Sequence, residues 1–306
     1  MSTPPQAPTA TLTAGYEWCR SLHASYGRSY YLATRLLPAW KRPHVHALYG
    51  FARYADEIVD SFALTGDRAA ALDRLVSRLA AALDGDRARD PVLSAFTHTV
   101  RAFEIDQDDV RAFLASMRAD LTVHRYATYD DLLGYMEGSA AAIGTMMLPV
   151  LEALPGEEER AHEPARQLGL AFQLTNFIRD VREDLTRGRV YLPLSDLDKF
   201  RVREADLAAP YASAAVRELV ACECDRARDH YRRARDGIAL LAPSSQPCIR
   251  AAYELYGGIL NEIEAAGHDV LARRATVPRR RRVAIFARHL LAARAAVRAE
   301  RRVEVA

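Results

Sequence analysis

YGFARYADEIVDS, Tyr49 to Ser61, is the stretch from which the rest of the chain can be read. At about 100° per residue, Tyr49, Arg53, Asp56, Glu57 and Asp60 fall in one stripe of a helix. Phe51, Ala55, Ile58, Val59 and Phe62 take up much of the remaining circumference. A helix that is apolar on its other sides is buried all round, so its acidic stripe must meet something other than bulk water. Uncompensated carboxylates do not stay ionised in a core, because desolvation costs more than folding can supply. Arg53 covers part of the charge, and the roughly two negative charges left over invite a divalent cation.

A second stretch has the same character. In LGLAFQLTNFIRDVREDL, Gln173, Asn176, Asp180 and Asp184 follow spacings of three, four and four, which places two amides and two carboxylates along one helix face. Leu174, Ile178, Val181 and Leu185 form an apolar flank, and Arg187, Arg189 and Tyr191 follow in a segment able to fold back over that face. Arg182 and Glu183 point elsewhere and read as solvated. Mg²⁺ is usually held by one or two carboxylates together with substrate phosphate oxygens, so aspartates at i and i+4 on two facing helices suit a diphosphate with its metals. Arginines beside them suit the remaining phosphate oxygens. A single Asp-x-x-x-Asp pair carries little weight, since many solvated helices contain one. Two pairs, each with an amide or arginine on its face and an apolar flank, carry much more. Neither stretch has the twelve-residue loop and central glycine of an EF-hand.

Strand signals are scarce and helical periodicity recurs from end to end, so the expected class is all-α. Starts and stops predict helices over 15–37, 44–64, 67–84, 91–104, 107–122, 128–154, 157–186, 210–241, 246–271 and 279–300. Pro38 and Pro43 bracket the first long junction, Asp90-Pro91 and Thr128 look like helix starts, and Pro155-Gly156 ends the apolar helix. The one longer connection is RGRVYLPLSDLDKF. A single domain over 15–300 follows, after a proline-rich lead at 1–14 expected to be disordered. The most apolar run, Ala140 to Leu151, is too short to span a bilayer and contains Pro149, so it reads as a core helix. Cys19, Cys222, Cys224 and Cys248 match no zinc or disulfide framework and read as reduced thiols of a cytoplasmic protein. The formal charge is only +2 with lysine confined to Lys41 and Lys199, and no nucleic-acid partner is expected. Eleven arginines lie between Arg273 and Arg302. They read either as the solvated face of a terminal helix or as an attraction to an anionic membrane surface or polyanionic substrate.

Four segments resemble the squalene/phytoene synthase family of head-to-head prenyl transferases. They are SYYLATRLLPAWKR (29–42), ALYGFARYADEIVD (47–60), GYMEGSAAAIGTMMLPVL (134–151) and LGLAFQLTNFIRDVREDLTRGRVYLP (168–193). Their order and spacing are those of the family, the similarity runs from about residue 15 to 295, and the wording most resembles the actinobacterial phytoene-synthase branch. The resemblance implies a single isoprenoid-synthase helical bundle with a central apolar cavity. It implies metal-binding clusters at Asp56, Glu57 and Asp60 and at Asn176, Asp180 and Asp184. Arg53, Gln173, Asn176, Arg179 and Arg189 match positions that hold diphosphate or its metals. Ser29 and Tyr30 match the segment that closes over the first diphosphate, and Tyr49 and Tyr191 match aromatic positions near the reacting centre. The family frequently has a second tyrosine two residues after the position of Tyr135, where this chain has Glu137. A base and a solvated carboxylate are both open readings of Glu137.

The implied activity joins two geranylgeranyl diphosphates into phytoene through a cyclopropylcarbinyl diphosphate, with several Mg²⁺ or Mn²⁺ ions. The alternatives are a 30-carbon synthase acting on farnesyl diphosphate and a non-catalytic homologue that binds prenyl diphosphates. No strand leads into a Gly-x-Gly-x-x-Gly turn, and NADPH is not expected. Walls for a dry cavity are expected from Ala140 to Leu151, Leu168 to Leu174 and Ile249 to Ile263. Peripheral contact with the inner face of the cell membrane and with other carotenoid-pathway enzymes is a further expectation.

Overall fold

Asp67, Asp90, Asp106, Thr128 and Ser213 each accept a hydrogen bond from a backbone N–H two or three residues on, and each starts a helix. Such local capping punctuates a chain that the computed structural model describes over residues 10–60, 66–86 and 88–305. The helices are α1 (Ala10–Tyr26), α2 (Arg28–Thr34), α3 (Arg42–Asp60), α4 (Arg68–Leu83), α5 (Pro91–Ala102), α6 (Gln107–Ala119) and α7 (Tyr129–Met136). After a π turn at Glu137–Ala141 come α8 (Ala142–Leu151), α9 (Glu158–Arg179), α10 (Val181–Thr186), α11 (Leu194–Lys199), α12 (Ala214–Arg235), α13 (Gln246–Ala265) and α14 (Arg279–Val305). Among the described residues the only β-pairings are isolated bridges, Arg125 with Val190 and Ala153 with Leu241. The all-α class and the single-domain architecture therefore stand.

Three expected helices are interrupted in the fold. The 15–37 segment breaks at Gly27, where a Cβ would lie 2.7 Å from the Tyr49 ring, so α2 turns in against α3 only because no side chain stands there. The 128–154 segment is interrupted by the π turn, a feature frequent at functional sites. The 157–186 segment breaks at Asp180, which leaves the helical conformation at φ −105°, ψ 13°. Residues 61–64 of the expected 44–64 helix lie outside the described residues. Residues 1–9 of the expected lead do too, while α1 already begins at Ala10. The connection RGRVYLPLSDLDKF contains α11 rather than being irregular throughout.

Two groups of buried side chains form the core. One gathers Phe51, Phe96, Leu72, Leu93 and Met146 from α3, α4, α5 and α8. The other gathers Leu170, Leu174, Val216, Leu219 and Leu260 from α9, α12 and α13. Phe172 and Ile249 pack against both, so the two groups meet along one seam. At that seam α9 passes close to the π turn, and any side chain at Gly169 would collide with the Ala140 carbonyl.

Candidate active site

The seam holds an apolar cavity. Its walls include Ile143, Met147, Leu168, Phe172, Ile249 and Ala252, from the three segments expected to supply them. Those segments contribute only in part, since nothing beyond Ala252 on α13 reaches it. Further walls come from α1, α2 and α3 (His23, Tyr30, Tyr49, Ala52), from Leu37 between α2 and α3, and from Ile238 and Leu241. Gln173 and Asn176 also face it.

On α3 the sequence stripe continues one turn beyond the cavity wall. Arg53 Nη1 donates to Asp56 Oδ2 at 2.5 Å and Nη2 to Glu57 Oε2 at 2.6 Å, and its guanidinium lies 4.1 Å from the Tyr26 ring centre. Asp60 is held from across the cleft, by Arg189 Nη1 at 2.7 Å and Arg187 Nη1 at 3.5 Å. Burial, with Asp60 adding its charge, pushes Asp56 up to about 6 against the pull of Arg53, Arg189 and Arg187.

The second acidic pair sits at the end of α9 and in α10. Asn176 O accepts from the Asp180 N–H at 2.9 Å and Asp180 O from the Asp184 N–H at 2.8 Å, so the i to i+4 spacing survives the break. Arg179 pairs with Asp180, and Arg274 adds a bidentate contact, Nε to Oδ1 at 2.6 Å and Nη2 to Oδ2 at 3.0 Å. Burial opposes ionisation of Asp180, but the hydrogen bonds and charges of Arg179 and Arg274 outweigh it and hold the carboxyl below its ordinary range. Asp184 behaves oppositely: burial and the neighbouring Asp180 push it up to about 7.

The fold thus brings together Asp56, Glu57, Asp60, Arg53, Asp180, Asp184, Arg179 and Arg189, with Gln173, Asn176, Tyr30 and Tyr49 at the cavity they border. Tyr30 stacks on Tyr256 with centroids 4.2 Å apart, and Ser29 is half-buried beside it in the first turn of α2. Tyr191 stacks on Phe177 at 3.9 Å and joins Tyr126 and Tyr135 in a buried tyrosine group adjoining Arg189. Glu137 is turned away from the cavity, and both its oxygens are held by Arg166.

Among the described residues no three His, Cys, Asp or Glu side chains converge to hold a metal by themselves. Mg²⁺ does not require such a cage when substrate phosphates complete its shell. The donor set fits that mode, because among the described residues Asn176 Oδ1 is buried without a hydrogen-bond partner beside a carboxylate pair, and Asp184 is half-buried with too little positive charge around it.

The family model for squalene/phytoene synthase matches residues 23–281. The chain belongs to the squalene/phytoene synthase family. Among its relatives are a phytoene synthase of Arthrospira platensis, 37% identical over 88% of this chain and 90% of that one. A 15-cis-phytoene synthase of Synechocystis sp. is 36% identical over 90% and 84%. A ligand-bound dehydrosqualene synthase superposes with a TM-score of 0.83 at 27% identity, covering 91% of this chain and 96% of that one. A squalene synthase of Alicyclobacillus acidocaldarius gives 0.76 at 28%, covering 85% and 97%.

Two residues of this family member's site escape sequence reasoning. Asp120 is 4% exposed, accepts from Tyr135 Oη at 2.9 Å, and its backbone oxygen accepts from Arg189. Burial, opposed by Arg189, pushes it up to about 7. It stands alone in ADLTVHRY, with no periodic partner to mark it. Arg274 was visible only as one arginine among eleven.

Proposed function

We propose that this chain is a phytoene synthase joining two geranylgeranyl diphosphates head to head. The observation that carries the reading is an apolar cavity bordered by two carboxylate pairs on facing elements, with Arg187 and Arg189 reaching from one element to the other. The naming of relatives at 37% and 36% identity supports the 20-carbon substrate.

Arg53, Arg179 and Arg189 grip the phosphate oxygens, and Tyr30 and Tyr49 wall the cavity in which the hydrocarbon tails lie. Asp56, Glu57, Asp60, Asn176, Asp180 and Asp184 would hold Mg²⁺ or Mn²⁺, whose Lewis acidity neutralises a departing diphosphate. The arginines stabilise the same developing charge, so the first C–O bond ionises to an allylic cation. The double bond of the second molecule attacks C1, and proton loss closes the cyclopropane. A second ionisation, rearrangement and proton loss yield the coupled hydrocarbon. The apolar walls keep water from these cations.

The test is incubation of the purified protein with Mg²⁺ and either geranylgeranyl or farnesyl diphosphate, with and without NADPH. Phytoene from the first, unaffected by NADPH, is the expected outcome. The similarity to a dehydrosqualene synthase structure favours a second reading, a 30-carbon synthase, which a product from farnesyl diphosphate alone would establish. Absence of diphosphate release from either would leave a prenyl-diphosphate-binding homologue.

No helix among the described residues is long and apolar enough to cross a membrane. Arg279, Arg280 and Arg281 are exposed at the start of α14, and we assign them to peripheral docking on an anionic inner leaflet, where other carotenoid-pathway enzymes would be met. Vesicles containing anionic lipid should retain the wild type better than a variant with alanine at 279–282; equal retention refutes the assignment.

A further inference from the structure

Among the described residues, three buried polar atoms in side chains lining the cavity have no hydrogen-bond partner: Asn176 Oδ1, Ser139 Oγ and His23 Nε2. Asn176 has a role beside the acidic pair, and a serine hydroxyl is a poor proton acceptor. His23 alone offers a basic nitrogen. It is 1% exposed near the end of α1 and lies against the Tyr49 ring with centroids 4.1 Å apart. Tyr49 is one helical turn from Arg53, so the imidazole stands just inside the first acidic cluster. Its other nitrogen, Nδ1, is 2.9 Å from Nδ1 of His46, itself 5% exposed and stacked near Tyr31.

Resting on the prenyl-coupling reading above, we propose that His23 Nε2 takes the proton lost when the cyclopropane closes, and that His46 is the positioning residue that fixes its tautomer. Burial, with His46 adding to it, pushes His23 down to about 3; burial, with Arg20 adding to it and Glu17 opposing, pushes His46 down to about 4. Both rings are neutral at pH 7, so a single hydrogen lies between the two Nδ1 atoms. With that hydrogen on His23, its Nδ1–H donates to His46 and Nε2 keeps a lone pair. The phenols of Tyr30 and Tyr49, raised by burial, stay protonated and do not compete as anionic bases.

Attack of the alkene on C1 leaves a tertiary cation on the second substrate. The C1–H bond then breaks, its electron pair forms the second ring bond to the cationic carbon, and the proton forms an N–H bond at His23 Nε2. No oxidation or reduction occurs. His46, accepting the Nδ1–H, stabilises the imidazolium until the cavity empties and the proton passes to water.

The test uses His23→Phe, which keeps the ring stack, and His46→Phe, with geranylgeranyl diphosphate unlabelled or dideuterated at C1. His23→Phe should lower kcat by about 10²-fold with KM nearly unchanged. Turnover should acquire a larger deuterium effect, and prenyl alcohols should appear from water capture. His46→Phe should lower kcat by about tenfold with the same isotope signature. If His23→Phe does not fold, His23→Gln, whose amide cannot hold the proton, takes its place. Near-wild-type turnover, or lost turnover with an unchanged deuterium effect, overturns the proposal. A wild type that makes phytoene while either result holds leaves the coupling reading intact; a wild type that makes no hydrocarbon from any prenyl diphosphate overturns both.

Discussion

The two acidic regions solve one electrostatic problem in different ways. On α3, Arg53 lies three and four residues before the carboxylates that it grips, so much of the compensation is built into one turn of helix. On α9 and α10, Asp180 takes one arginine from the adjacent residue and another from 94 positions away. Asp60 belongs to α3 by sequence and to the second region by its partners, Arg187 and Arg189. Each pair nonetheless keeps one member short of positive charge: Asp56 is held at about 6 and Asp184 at about 7, while Asp180 is held low. Incomplete neutralisation by the protein leaves something for a bound cation to gain, which a purely structural salt-bridge network would not.

The strongest way to break this comparison is to neutralise the four aspartates singly. Asp56→Asn, Asp60→Asn, Asp180→Asn and Asp184→Asn should each cut hydrocarbon formation by about 10²-fold or more in a Mg²⁺-supplemented assay. Near-normal turnover in any two of them would dismiss the metal assignment. A smaller effect separates the arginines. Arg189 is 11% exposed and bridges the two regions, whereas the side chain of Arg274 is 51% exposed. Arg189→Gln should lower kcat/KM by about 10²-fold, and Arg274→Gln by about tenfold, chiefly through KM, in steady-state kinetics. The reverse ranking would mean that the exposed latch, not the buried bridge, organises the diphosphates.

The smallest effect comes from Glu223 on α12, a buried carboxylate outside both regions. It is gripped by Arg226 at 2.6 Å, yet burial, despite Arg226, pushes it from 4.5 up to about 7. The folded chain therefore keeps a proton between those values that the unfolded chain has lost, and this contribution to stability falls as pH rises through that window. Glu223→Gln should flatten the fall in melting temperature between pH 5 and 8 by on the order of a few degrees, with turnover unaffected. A fall as steep as the wild type's would show that Arg226 compensates Glu223 fully.

Helical class, the stripe on α3 and both aspartate pairs were legible because each depends on spacing along a few turns of helix, and the 3.6-residue period turns spacing into direction. The capping residues Asp90 and Thr128 were legible for the same local reason. The break at Gly27 was not, because what decides it is the Tyr49 ring pressing against α1 from another helix. Nor were Asp120, Arg274 or the turning of Glu137 toward Arg166, each defined by a partner 15 to 94 residues distant. The amino-acid sequence by itself determined which side chains share a helix face and that two such faces carry an excess of acid beside apolar flanks. Tertiary structure decided which arginine meets which carboxylate, and which polar atoms, His23 Nε2 among them, are left unpartnered against the cavity. Charge compensation and burial are set by neighbours in space, and those exist only once the helices have packed.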